Sequence, residues 1–219
     1  MTFTHVPTQL TELNTVTAHG KRFYQTPSGE LFPSVTTVMS LYNKEAILEW
    51  RKRVGAEEAN KISSKAARRG TKLHTVCENY LNNSEIGTIM PDTMGLFKQI
   101  QPIIDKYVNN VYAIEAPLYS EHLKVGGRVD CVAEFDGKPA IIDFKTSSRI
   151  KTEDKIHNYF MQCAAYAVMF EERTGIPIPR IAIIMAVENG SPLLFVKKRN
   201  DYIDDFIELR LQYESILFT

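Results

Sequence analysis

The sequence predicts an α/β fold, a sheet flanked by helices and preceded by an N-terminal hairpin and helical region. Three observations predict it. Hydrophobic spacing is helical before Val111 and strand-like after it, in the order β-β-β-α-β-β-α. The segments Gly127-Arg128-Val129-Asp130 and Ile141-Ile142-Asp143-Phe144-Lys145 lie on consecutive apolar runs joined by Asp136-Gly137-Lys138, a turn of hairpin type. With 44% apolar and 24% charged residues over 219 positions, the chain can bury one large core. A single domain over 1–219 is expected, with the hairpin and helical region at 1–60, the α/β core at 61–199 and a C-terminal helix at 200–219.

Taken in order, the residues through about Ala18 carry no strong periodicity. Arg22–Gln25 and Glu30–Phe32 flank Thr26-Pro27-Ser28-Gly29 and read as a hairpin. Pro33-Ser34-Val35-Thr36-Thr37-Val38 offers an N-cap and opens a short helix. Lys44–Val54 reads as a helix with Ile47, Trp50 and Val54 on one side, and Trp50 is expected in the core. A longer helix is expected from Glu57 to Leu81, with Ile62, Ala66, Leu73, Cys77 and Tyr80 at helical spacing and a break or close approach at Gly70. After a turn-rich connection to Pro91, another helix runs to about Val108. Strands are expected at Val111–Ser120, Lys124–Phe135, Pro139–Lys145, Arg180–Val187 and Leu193–Lys198, with helices at Lys155–Arg173 and Asp201–Leu217.

Alternation along the strands places Asp143 and Lys145 on one face. On the preceding strand Val129, Cys131, Ala133 and Phe135 are expected to form the apolar face and Asp130 the other. Pairing the strands then gathers Asp130, Asp143 and Lys145 on one side of the sheet, with Asp143 as an exposed strand-end carboxylate. Paired carboxylates offer hard oxygen ligands suited to magnesium or manganese, and such an ion would activate water for phosphodiester hydrolysis. Lys145 would stabilise charge on the phosphoryl group. The simpler alternative is a surface salt bridge between Asp130 and Lys145. Two further pairs stand at i,i+4 spacing on helices, His74 with Glu78 and Gln162 with Tyr166.

Lys plus Arg equals Asp plus Glu at 26 each, so net charge betrays no anionic partner. The distribution is more telling: from Lys44 to Lys72 there are nine basic residues and four acidic ones. A solvated helix face would look the same. Cys77, Cys131 and Cys163 are far apart with no C-x-x-C pair, which argues against an iron–sulfur cluster and for a reducing compartment. No apolar run approaches membrane-spanning length, so no membrane association and a cytoplasmic location are expected.

In order, the chain contains Arg69-Gly70-Thr71 followed by His74 and Glu78, Gly127 with Asp130, Asp143-Phe144-Lys145-Thr146, and Gln162 with Tyr166. This series resembles the RecB-type branch of the PD-(D/E)xK nuclease superfamily. The resemblance implies a restriction-endonuclease-like core, a mixed sheet flanked by helices, from about Lys61 to Val187. Pro33–Thr37 behind its hairpin further resembles small mitochondrial and phage exonucleases of that superfamily, which suggests a phage or bacterial context. By the same resemblance His74, Asp130, Asp143 and the carbonyl of Phe144 would bind Mg2+ or Mn2+, and Lys145 would be the catalytic lysine. Glu78 would hold His74, while Gln162 and Tyr166 would position Lys145 or the phosphate. Ser34, Thr36, Thr37, Arg68, Arg69 and Thr71 would contact DNA, through hydroxyls and cations that bind phosphate without reading sequence. Trp50 and Tyr80 could stack on bases. The proline that usually precedes the first acid is absent, and Glu115 has no assigned place in the pattern.

The expected function is a metal-dependent DNA exonuclease acting on single strands or ends. The alternatives are a non-catalytic DNA-binding or assembly subunit and a structure-specific endonuclease. Degenerate relatives of the non-catalytic kind lose an acid or the lysine, and this chain keeps both.

Overall fold

The chain begins with three short strands, β1 (Asn14–Ala18), β2 (Lys21–Gln25) and β3 (Leu31–Pro33), paired antiparallel in a sheet of their own. The computed structural model describes residues 1–217, so the last two positions of the expected 200–219 segment lie outside the described residues. Strand β1 was not expected, because its first four residues are exposed and leave no inward alternation to read. His19 and Gly20 make its hairpin turn with φ of 51° and 71°, the left-handed pair that a two-residue hairpin needs.

Helix α1 (Val35–Met39) starts where expected, with Ser34 Oγ accepting the Thr37 N–H at 3.0 Å. Helix α2 (Lys44–Val54) and helix α3 (Ala56–Leu81) follow, joined through Gly55 at φ 87°. Gly70 neither breaks α3 nor permits a close approach, since a Cβ there would meet nothing within 4 Å. Its cost in helix propensity is offset by the packing that begins at Leu73. Helix α3 has two halves of different character. From Leu73 onward Leu73, Val76, Cys77 and Leu81 are buried, whereas before Arg69 only Ala59 is. Helix α2 buries no residue, so Trp50 is half-buried on a projecting arm rather than in the core. Ile62 is likewise exposed.

Helix α4 (Pro91–Tyr107) leads into five strands: β4 (Val108–Ser120), β5 (Val125–Phe135), β6 (Lys138–Ser147), β7 (Arg180–Val187) and β8 (Leu193–Lys198). They stand in sequence order, antiparallel except for β6 and β7, which run parallel and are connected through helix α5 (His157–Thr174). Asp136 and Gly137 turn the β5–β6 hairpin with φ of 50° and 72°. Gly175, left-handed at φ 72°, ends α5. Helix α6 (Ile203–Leu217) is the last described element and begins two residues later than expected because Arg199–Asp201 form a 3-10 turn.

Two cores lie on the two faces of the sheet. Ile181, Ile183, Met185 and Val187 of β7 face α1, α5 and α6, while Ala182, Ile184 and Ala186 face α3 and α4. That double burial is why β7 reads as a continuous apolar run. On β5 the expected single apolar face is corrected. Val129 packs with Val125 and Val132 on the α5 side, whereas Cys131, Ala133 and Phe135 pack on the α3 side. Alternation slips by one residue at Asp130. All three cysteines are buried and free. Among the described residues no helix is long and apolar enough to cross a membrane.

The small sheet is attached to the large one where Ser34 bridges Gly126. A Cβ on Gly126 would lie 2.5 Å from Tyr24 Cβ, the rigid stem of a buried ring. Gly126→Ala is therefore expected to cost about 1–3 kcal/mol, the usual penalty for overpacking. Urea denaturation measures it, and an unchanged midpoint would refute the contact.

Candidate active site

The β5–β6 ladder runs from Phe135–Lys138 to Cys131–Ile142 and stops. The next rung would pair Asp130 with Asp143. Meanwhile β6 stays bonded to β7 as far as Ser147. In a parallel ladder alternate residues turn their polar groups to opposite neighbours, so Phe144 is left with an N–H and a C=O on the open side. Side chains take both. Asp130 Oδ2 accepts the Phe144 N–H at 3.0 Å, and His74 Nε2 lies 2.7 Å from the Phe144 carbonyl oxygen. The β4–β5 ladder, by contrast, continues on both sides of this point: its pairs Ile114–Cys131 and Ala116–Val129 flank Glu115 opposite Asp130. Glu115 has φ 45°, a left-handed conformation that is uncommon for a residue with a Cβ and tends to mark sites where geometry is forced.

Glu115, Asp130 and His74 thereby converge. His74 Nδ1 stands 3.5 Å from Asp130 Oδ1 and 3.8 Å from Glu115 Oε1. Ligand-capable atoms of the three lie within 4.8 Å of one another. Asp143 and Lys145 occupy the α5 side of β6, as the packing of Ile141 with α5 and the alternation require. Asp143 is not an exposed strand end: it is 2% exposed. Its Oδ2 forms an ion pair with Lys145 Nζ and is otherwise buried without a formed hydrogen bond. The Lys145 ammonium also lies 5.1 Å above the Tyr159 ring. The centre therefore does not sit on one side of the sheet as expected; it straddles an opening in it, with His74 reaching in from one face and Lys145 from the other.

The electrostatics follow from that crowding. Burial alone would lower the His74 pKa, but the carboxylates of Glu115 and Asp130 outweigh it and raise the imidazole to about 9. Burial first, and then the charge of Asp143, raise Asp130 to about 6. Burial works against the Lys145 charge, yet Asp143 and Asp130 hold its pKa above the usual lysine value. Lys145 is accordingly a cation at neutral pH and not a base in this arrangement.

The other expected site residues are placed as follows. Glu78 lines a cavity of about 390 Å³ with Gly70, Thr71, His74 and Glu115, but the carboxylates nearest His74 are those of Asp130 and Glu115. Tyr166 is buried against Gly127, where a Cβ would come within 2.6 Å of its ring. That contact is a physical reason for glycine three residues before Asp130. Gln162 is half-buried on α5, one turn before Tyr166. Ser34 and Thr37 are buried and bonded to each other at 2.7 Å, which leaves Thr36 as the exposed hydroxyl of that group. Arg68 is exposed, whereas Arg69 pairs with Glu188 at 2.5 Å. Tyr80 donates to Asp105 at 2.5 Å and packs edge-on with Phe3 and Phe97, an internal role that leaves it no base to stack on. Glu115 is the residue that sequence reasoning missed. Its one available signal was a carboxylate within the otherwise apolar run Val111–Leu118.

The fold and the sequence place the chain in a known class. The family model of the PD-(D/E)XK nuclease superfamily matches residues 44–189, and the chain belongs to that superfamily. Among individual proteins, it is similar to the mitochondrial genome maintenance exonuclease 1 of mouse, 30% identical over 175 residues, which are 73% of this chain and 51% of the relative. The human protein of the same name is 28% identical over 178 residues, 74% of this chain and 51% of the relative. The chain thus spans about half the length of these relatives. A crystallised Eubacterium rectale protein matches 68% of this chain and 66% of its own at 16% identity and a TM-score of 0.45, a likeness too loose to argue from.

Glu115→Gln removes the largest of the three carboxylate contributions that hold the proton on His74, the others being Asp130 and Asp143. In the metal-free protein the His74 titration, followed by NMR, is expected to fall from about 9 toward the ordinary 6.5. The sign carries over to stability. His74 stabilises the fold fully below 6.5 and loses that contribution as pH rises through about 9, so the variant should show a flatter pH dependence across this window. An unmoved midpoint would detach Glu115 from the centre.

Proposed function

We propose that the chain is a divalent-metal-dependent deoxyribonuclease that degrades DNA from ends and prefers single strands. The observation that carries the reading is the opened rung of the sheet, where the cluster of His74, Glu115 and Asp130 adjoins the buried Asp143 and its partner Lys145 in partly buried surroundings. Like charges so close to one another suit a cation better than they suit one another. The donors are oxygens and one imidazole, a set that accepts magnesium or manganese.

His74, Glu115, Asp130 and Asp143 would hold the ion. With Nε2 donating to the Phe144 carbonyl, a neutral His74 presents its Nδ1 lone pair toward Asp130 and Glu115. Phe144 thus serves to orient His74 in this arrangement, where the family resemblance made it a ligand. A bound divalent ion would withdraw charge from the phosphoryl oxygens and acidify a water. Lys145, cationic and held between Asp143 and the Tyr159 ring, is placed to neutralise charge that develops on the phosphate. Tyr166 and Gln162 back the site from α5, Tyr166 by packing on Gly127. Glu78 and Thr71 border the cavity through which a strand would approach His74. Thr36, Arg68 and the cations of α2 and α3 supply contacts that are blind to sequence. The opening beside His74, about 390 Å³, suits a flexible strand better than a wide, stiff duplex.

Asp143→Asn should lower cleavage at least about a hundredfold, since a lost ligand removes several kcal/mol of transition-state stabilisation. It should also destabilise the fold by about 1–3 kcal/mol, because it leaves Lys145 short of its buried partner. Cleavage at the wild-type rate by the folded variant would reject the site. Chelation should abolish activity, magnesium or manganese should restore it, and calcium should support binding with little cleavage.

Linear end-labelled single strands should be degraded faster than blunt duplex. Covalently closed single-stranded circles should resist. Rapid cutting of circles would make the enzyme an endonuclease, and DNA binding without cleavage under any metal would make it a non-catalytic subunit.

A further inference from the structure

A second cavity, about 510 Å³, lies between α3, the start of α4 and the turn that leaves β7. Lys65, Arg68, Arg69 and Lys72 form its cationic wall, and their i, i+3, i+4, i+7 spacing puts them on one stripe of α3. Two acids line it as well. Asp92 accepts the Thr93 N–H at 2.7 Å and lies near Lys72, and Glu188 pairs with Arg69. Asp92 already takes up a first-turn N–H of α4, and the positive charge of the cavity comes from the side chains of α3.

Arg69 is the informative member. Its side chain is 14% exposed, one end of the guanidinium meets Glu188 at 2.5 Å, and Nε is buried with no hydrogen-bond partner. A guanidinium offers a planar fork of donors that matches the oxygens of a phosphate. Arg69 lines the cavity with its fork incompletely used, so a ligand acceptor that draws the guanidinium from Glu188 would also give the buried Nε a partner. The cavity is also near the centre. Glu188 N–H donates to the Ser147 carbonyl at 2.9 Å, and Ser147 is three residues beyond Phe144 on β6, roughly 10 Å along the strand.

Resting on the nuclease reading, we propose that this groove is a phosphate subsite for the nucleic-acid strand, set a few nucleotides from the scissile bond, in which an incoming phosphate competes with Glu188 for Arg69. The phosphate is either an internucleotide linkage or the terminal group of the strand. Both present the same oxygens.

The test is binding of fluorescent single-stranded oligonucleotides by the full chain in calcium, measured by anisotropy. Strands carry a neutral methylphosphonate at one linkage at a time, or a hydroxyl in place of the terminal phosphate. In the wild type, neutralising one position should weaken binding about tenfold, as expected for a charged hydrogen-bonded contact. A sensitive linkage assigns the groove to the strand interior, and a sensitive end assigns it to the terminus. Arg69→Lys keeps the charge but loses the fork, and should lose the sensitivity at that position. The exposed double variant Lys65→Ala/Lys72→Ala should bind more weakly with a shallower salt dependence. Glu188→Gln should bind the intact strand more tightly, a gain that a merely structural ion pair would not produce. Identical neutralisation profiles for wild type and Arg69→Lys, or weaker binding by Glu188→Gln, would overturn the subsite alone. A wild type that binds no strand would remove the nuclease reading and the subsite with it.

Discussion

Beyond the pair Cys131–Ile142 the sheet opens, and the two orphaned polar groups of Phe144 have to be satisfied by something other than a strand. Backbone groups left unpaired in a buried place are costly, so the side chains that take them are held firmly. Asp130 and His74 do so, one from a neighbouring strand and one from a helix across the α3-side core. The same opening lets Asp143 and Lys145 approach from the other face. Had the ladder continued, Asp130 and Asp143 would have been paired within an intact sheet, with no room for a third group between them. The site is thus a consequence of where pairing ends.

That constraint explains several features further away. Gly127 has no side chain because the Tyr166 ring fills the space beside it. Glu115 accepts an unfavourable backbone conformation opposite Asp130, and the surrounding ladder, paired on both sides of it, holds it there. The cost of concentrating negative charge is met by proximity to His74 and Lys145, whose pKa values rise in consequence. The residues of the candidate site thus also carry the electrostatics of the fold around it, a compromise common at functional sites.

Much of this was legible in the sequence. Strands β7 and β8 and helix α2 lie at the expected residues; β7, buried on both faces, writes a continuous apolar run, and the turn residues around the other two mark their ends. Asp130, Asp143 and Lys145 were readable as a group because a hairpin turn tied their strands together. What alternation could not show was its own failure. The slip at Asp130 reverses the facing of Val129 relative to Cys131, and no local residue announces it. Glu115 was illegible for a related reason: its role depends on strand register some fifteen residues away. The projecting arm departs from expectation because Ile62 and Trp50 have core-like spacing, although Ile62 is 44% exposed and Trp50 half-buried.

The three buried thiols have a consequence of their own. Burial, joined by the charge of Asp130, raises the pKa of Cys77 and Cys131, and burial with Asp143 does the same for Cys163. Thiolate is the reactive form, so in the folded molecule these sulfurs are both out of reach and chemically quiet. Cys77 lies on α3, Cys131 at the last rung of the β5–β6 ladder and Cys163 on α5, so together they sample both layers and the sheet between them. Alkylation of each would then keep time for a different part of the molecule, registering how often the helices lift and how often the split in the sheet widens.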